Sequence, residues 1–200
     1  MTGASIPESE TTATPTRGRP RDPGIDALVL RTTRDLLGEV GFAATTVQEI
    51  SRRSGVHPPA IYRRGPSRLA LIEDAAFSGL TEIQIRPTGD LRRDLGRFVR
   101  AYERSLDHPA ALAAIPGLLP TYLGDTAPPP ARWLHLSVRP QFYAILDAAT
   151  DEVDPDIDVD DVFDVVQGTI LARIMVPAVR ARRRRIETTV EFIVRILERR

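Results

Sequence analysis

The chain has 200 residues, enough for one typical domain or for a small domain joined to a medium one. It contains no cysteine, which excludes disulfides, thiolate metal sites and a cysteine nucleophile, and its three histidines, His57, His108 and His135, do not fall at the spacing of a two-histidine zinc helix. Formal net charge is zero, so attraction to nucleic acid has to come from the arrangement of charges and not from their sum.

Residues 1–23 contain many Ser, Thr, Pro, Gly and Glu residues and almost nothing apolar to bury, which predicts a disordered arm. Its end, Arg17-Gly18-Arg19-Pro20-Arg21, is basic. From Ile25 the pattern turns helical: Ile25, Leu28, Val29, Thr32, Leu36 and Val40 make one apolar stripe. Gly41 is expected to end that helix, with Phe42 and Ala43 as a short connection. Thr45 and Thr46 both offer N-caps, with Gln48 and Glu49 three residues on, so two registers are open. A short helix bearing Val47 and Ile50 then ends near Ser54-Gly55. Pro58-Pro59 suit the first turn of a second short helix over 58–64. Gly65-Pro66-Ser67 interrupts, and a long helix follows to about Ile83.

Farther on, Leu91, Leu95, Phe98, Val99, Tyr102 and Leu106 form a stripe. Leu112, Ile115, Leu118, Leu119 and Tyr122 form another, bent or broken at Pro116 and Pro120. Trp133 to Ala148 reads as a helix interrupted near Pro140. Val162, Phe163, Val166, Ile170 and Ile174 give a strongly apolar helix, and Ile186, Val190, Ile193, Val194 and Leu197 the last. Alternation at Ile83–Arg86 and His135–Arg139 is weak, so the expected class is all-α. No apolar run approaches the roughly 18 residues of a membrane span, and the start lacks a secretory pattern; a cytoplasmic location is expected.

Residues 45–64 thus carry a helix, a glycine turn and a second helix. Val47, Ile50, Val56 and Ile61 would lock the pair. That leaves His57, Pro58, Pro59, Ala60, Tyr62, Arg63 and Arg64 facing outward, on a helix that fits a major groove. Between Arg17 and Arg68 stand ten arginines against five acids, which suits phosphate contact. The alternative for the same residues is an αα-hairpin inside a core with a solvated charged face.

The run Thr45 to Arg64, with the preceding helix ending Leu36-Leu37-Gly38-Glu39-Val40-Gly41-Phe42 and the following Pro66-Ser67-Arg68, resembles the DNA-binding core of TetR-type bacterial transcriptional regulators. The likeness is motif-specific over about 60 residues and architectural beyond. It implies an N-terminal three-helix DNA-binding domain over 24–84, with the helix-turn-helix at 45–64. It also implies an effector-binding and dimerising helical domain over 85–200 and a homodimer through the last two helices. By position, Thr46 would meet phosphate at a helix N-terminus. Pro58, Pro59 and Tyr62 would lie against bases, His57 would add a polar contact, and Arg63, Arg64 and Arg68 would hold the backbone. Two departures stand out. Gly65 replaces a family aromatic that packs behind the recognition helix, a space for Phe42 or Phe77 to fill; Ala60 replaces a hydroxyl residue. Apart from the family likeness, Arg17-Gly18-Arg19-Pro20 matches the core of minor-groove A·T hooks, so Arg17, Arg19 and Arg21 are candidates for a minor-groove arm, with a solubilising disordered end as the alternative.

In the second domain Phe98, Tyr102, Tyr122, Trp133, Phe142 and Met175 are candidates to line an effector cavity, with ordinary core as the alternative. His108, His135 and Gln167 are polar groups that could orient a ligand there, with a surface helix end the alternative for His108. Asp154-x-Asp156-x-Asp158 has a calcium-like spacing, but Val159 and Val165 stand where glycine and glutamate belong. An acidic loop feeding a helix N-terminus explains these acids. No metal or other cofactor is expected. The reading is a sequence-specific DNA-binding regulator, a repressor released from a palindromic operator by a small molecule. The alternatives are an activator, an architectural DNA-binding protein without effector, and an all-α enzyme for which no catalytic motif speaks.

Overall fold

The computed structural model describes residues 22–122, 137–176 and 186–198. Among these the regular structure is helical: α1 (Pro23–Ala44), α2 (Val47–Ser54), α3 (Pro58–Tyr62), α4 (Arg68–Thr81), α5 (Leu91–Leu106), α6 (Pro109–Tyr122), α7 (Arg139–Ala148), α8 (Val159–Met175) and α9 (Ile186–Leu197). The all-α class is therefore found. The weak alternation at Ile83–Arg86 produces no strand, because Ile83 is drawn into the core of the second domain. His135 and Trp133 lie outside the described residues, as do the arm arginines Arg17, Arg19 and Arg21.

Asp22 caps α1 by accepting from the Gly24 N–H at 2.9 Å, with Pro23 at the first helical position. The buried face holds Val29, Thr32, Thr33, Leu36 and Leu37. Val40, placed in the stripe from its spacing, is instead 51% exposed. The helix also continues past Gly41, whose φ of 79° breaks the helical path before a last turn, Phe42–Ala44. Those residues are a kinked helix end and not a loose connection.

The ambiguous cap resolves in favour of Thr46. Its Oγ1 accepts from the Glu49 N–H at 3.1 Å, while the Thr45 hydroxyl donates to the Gly41 carbonyl at 2.8 Å. The capping box is only half formed, since the Thr46 N–H donates to Ala44 and the Glu49 carboxylate pairs with Arg52. Gly55, at φ 70°, closes α2 in the left-handed conformation, its N–H donating to Ser51 at 2.9 Å.

Three apolar clusters hold the chain. Val29, Leu36, Val47, Ile50, Ile61 and Leu71 join α1 to the helix-turn-helix and to α4. Leu37, Ile72, Ala75, Ala76, Ala110, Ala114 and Leu118 join α1, α4 and α6. The largest cluster gathers α5, α7, α8 and α9 around Phe98, Phe142, Phe163, Ile170 and Ile193. Burial of each such large side chain contributes roughly 1.5–3 kcal/mol before entropy is set against it.

α6 departs from expectation in two ways. It is one helix despite Pro116 and Pro120 within it. Its buried face is Ala110, Ala111, Ala114 and Leu118, whereas Leu119 is 51% exposed. Small residues let α6 lie close on α1, where a Cβ on Gly38 would stand 3.3 Å from the Pro109 Cβ. His108 is half-buried at the start of α6. Its Nδ1 accepts from the Ala111 N–H at 3.4 Å. Burial, followed by the nearby Arg34, pushes its pKa below the ordinary imidazole value, which favours the neutral ring that this cap requires.

α8 begins with Asp158 accepting from the N–H groups of Asp160 and Asp161 at 2.9 and 3.4 Å. The acids at this point thus cap a helix, with Asp160 and Asp161 in its first turn. Arg139, at the start of α7, pairs with Asp160 and Asp164 and lies 4.4 Å over the Phe163 ring, fastening α7 to α8.

Candidate nucleic-acid interface

Val47, Ile50 and Ile61 are buried between α2 and α3 with Val56 packed beside them, so the two helices are locked as their spacing predicts. His57, Pro59, Tyr62 and Arg63 are exposed, Tyr62 at 52%; Pro58 and Ala60 are half-buried. The first turn of α3 offers little to a phosphate. Pro58 and Pro59 have no N–H, and the N–H groups of Ala60 and Ile61 both donate to the His57 carbonyl. α2, by contrast, starts with a side-chain cap and no proline. Thr46, half-buried there, accepts its capping bond through Oγ1, which leaves the hydroxyl proton to donate outward.

Of the three arginines expected on the DNA backbone, only Arg63 is exposed. The Arg64 side chain is 11% exposed; its Nε pairs with Asp26, and its Nη1 donates to the Ala60 carbonyl at 2.7 Å. Arg68 turns inward as well. Its Nε donates to the Thr45 carbonyl at 2.6 Å, its Nη2 donates to the Phe42 carbonyl, and its guanidinium lies 4.5 Å over the Phe42 ring. Burial pushes its pKa below the usual arginine value. In the structure both side chains are thus held by partners within the domain, which leaves Arg63 as the exposed one of the three. These side chains emerge beside the last carbonyls of α3 and α1, which accept their hydrogen bonds in place of solvent or phosphate.

The structure adds two basic residues that the sequence reading passed over. Arg52 and Arg53, in the last turn of α2, have side chains 72% and 37% exposed and pair with Glu49 and Glu39. Hydrogen bonding from Arg53 holds the Glu39 carboxyl below its usual pKa. Spacing offers no sign of the Arg53 pairing, since Glu39 lies on a different helix, whereas Glu49 and Arg52 stand three residues apart on α2.

The space beside Gly65 is not filled by Phe42 or Phe77. Leu71 occupies it: a Cβ on Gly65 would stand 2.6 Å from the Leu71 Cγ and Cδ2. Phe42 packs instead against Gly117 of α6, where a Cβ would overlap its ring. Phe77 packs between the two larger clusters.

Among the residues expected at an effector cavity, Phe98, Tyr102 and Phe142 belong to the core, with Phe98 against each of the other two rings. Ring centroids are 5.9 Å apart for Phe98 and Tyr102, and 5.8 Å for Phe98 and Phe142. Burial pushes the Tyr102 phenol up to about 12. Met175 is half-buried at the margin of the same cluster, and Gln167 is half-buried on α8. Trp133 and the side chain of Tyr122 lie outside the described residues.

A glycine-closed turn between two short helices, an exposed second helix and a capped helix N-terminus beside it define a helix-turn-helix DNA-binding unit. Residues 29–75 match the family of bacterial regulatory proteins, tetR family, and residues 85–193 match the tetracyclin repressor-like C-terminal domain. The chain belongs to the TetR family. It is 38% identical over 80 residues, 40% of each chain, to the uncharacterized HTH-type transcriptional regulator YdeS of Bacillus subtilis (strain 168). It is 31% identical over 99 residues to the uncharacterized HTH-type transcriptional regulator Mb1581 of Mycobacterium bovis (strain ATCC BAA-935 / AF2122/97), covering 49% of this chain and 47% of the relative. The chain thus spans about two fifths to one half of the length of these curated relatives. Among solved structures, BioQ with its natural double-stranded DNA operator superposes at TM-score 0.61 and 18% identity, over 85% of this chain and 95% of that one. A putative tetR family transcription regulator from Shewanella sp. PV-4 superposes at 0.58 and 18%, over 88% and 99%. At these identities the likeness is one of fold. No described helix is long and apolar enough to cross a membrane.

Proposed function

We propose that the protein is a dimeric, sequence-specific transcriptional repressor that a small-molecule effector releases from a near-palindromic operator. The observation that carries this reading is the continuous outward surface of Pro59, Tyr62 and Arg63 beside the capped Thr46 end of α2. Pro58, Pro59 and Tyr62 meet base edges, the prolines through thymine methyl groups because they have no side-chain donor. His57 adds a polar contact, Thr46 and Arg63 position the backbone, and Arg17, Arg19 and Arg21 enter the adjacent minor groove. Dimerisation through α8 and α9 is supported by Val165 and Phe192, 43% and 58% exposed on helices that pack together. The effector binds in the second domain and acts through its higher affinity for the state that does not fit DNA. Catalysis has no part in this reading.

Footprinting on DNA from immediately upstream of the protein's own gene tests it. A protected near-palindrome with half-site centres about one turn apart, roughly 34–36 Å or a little more, is expected, and Tyr62→Ala should abolish that protection. Protection without two-fold symmetry, or unaffected by Tyr62→Ala, overturns the proposal.

A further inference from the structure

α3 has five residues, far fewer than the roughly 12–15 an isolated helix needs to persist in water. Its hold on the rest of the domain must come from side chains. Ile61 is fully buried, but the next buried position, Gly65, has no side chain to contribute. The remaining inward fastening is Arg64. Its Nη1 closes the last turn of α3 by donating to the Ala60 carbonyl at 2.7 Å. Its Nε meets the Asp26 Oδ1, 38 positions earlier in the first turn of α1. Both meeting atoms are shut off from solvent and neither makes a hydrogen bond, so the contact between them is one of charge alone.

We infer that Asp26 and Arg64 form a positioning pair that sets the orientation of the recognition helix against α1, and that Arg64 acts on DNA through this pair and not by touching phosphate. The inference rests on the DNA-binding reading above and assigns the alignment of its reading helix to two residues outside the exposed surface. The physical reason is that the guanidinium is held at two ends. An apolar contact such as Ile61 tolerates rotation of α3 about its axis, whereas a guanidinium hydrogen-bonded to a carbonyl within α3 and drawn by charge to a carboxylate on α1 restricts that rotation. Removing Asp26 leaves the mostly buried Arg64 charge without its ionic partner, and removing Arg64 frees the partly exposed Asp26, so each single change loosens the link between the two helices.

The test uses the full chain and four variants: Asp26→Asn, Arg64→Gln, the double variant and Asp26→Glu. Binding is measured by fluorescence anisotropy on DNA from upstream of the protein's own gene and on scrambled DNA, at two salt concentrations. Amide hydrogen exchange is measured without DNA at residues 60–65, where Ala60, Ile61, Arg64 and Gly65 donate within α3 and its final turn. We expect Asp26→Asn and Arg64→Gln each to lower the preference for upstream over scrambled DNA roughly tenfold, with the double variant no worse than either. Exchange should quicken in α3 but not in α4, the salt slope should stay unchanged, and Asp26→Glu should restore most of the preference. The inference is overturned if Asp26→Asn leaves α3 exchange and DNA preference as they were. It is overturned equally if Arg64→Gln lowers the salt slope by about 0.9, the loss of one phosphate contact. Absence of any preference in the native protein refutes the DNA-binding reading, and the exchange measurement then decides the pair by itself.

Discussion

Truncation of Phe142 to alanine is expected to cost about 3–5 kcal/mol of stability and to lower the melting temperature by roughly 6–20 °C. The ring is fully buried where α5, α7 and α8 meet, with centroids 5.8 Å from Phe98 and 5.5 Å from Phe163. Arg139 over Phe163 closes the outer side of that group. With neighbours on every helix around it, the site cannot collapse easily, so both the lost burial and the cavity count against the variant. Thermal unfolding followed by circular dichroism checks the figure. The outcome also separates two roles for the aromatic group. A cost below about 1 kcal/mol means the ring already borders open space and lines a cavity, and the change should then appear in effector affinity instead.

The second large effect is expected at Gly117. Replacement by valine should destabilise the protein by about 1–3 kcal/mol, because the new Cβ overlaps the Phe42 ring. Phe42 cannot simply swing aside. Arg68 lies over its ring and donates to its carbonyl while also donating to Thr45, the residue before the α2 cap. The clash therefore strains the link that places Thr46. Gly117→Val should weaken DNA binding at temperatures where it remains folded, whereas Phe142→Ala, remote from that link, should leave binding intact while folded. Adding Phe42→Ala to Gly117→Val should recover part of the stability, since the two changes share one contact. A valine variant with native stability and binding contradicts this packing.

The parts legible in the sequence were those written in local chemistry. Gly55, a threonine cap at 45 or 46 and the Pro58-Pro59 start mark the helix-turn-helix within twenty residues, and the stripe from Leu91 to Leu106 is buried as its period requires. The parts that were not legible depend on partners distant in the chain. Arg64 and Arg68 look like solvent-facing cations on their own helices, and only the approach of Asp26 and of the Phe42 and Thr45 carbonyls turns them inward. α6 misled for another reason. Its contact face is alanine and glycine, so large residues such as Leu119 marked the wrong side. Val40 has the spacing of the stripe but lies one residue before the kink at Gly41 and is 51% exposed.

The central claim, that α2 and α3 read a particular DNA sequence, is tested most directly by fluorescence anisotropy. The purified full-length protein is titrated with DNA from immediately upstream of its own gene and with scrambled DNA of the same length, at two salt concentrations. A preference of about 10³ or more for the upstream DNA is predicted, retained as salt weakens both affinities. Equal affinities that fall together with salt would contradict it and leave a protein that binds DNA only through its phosphates.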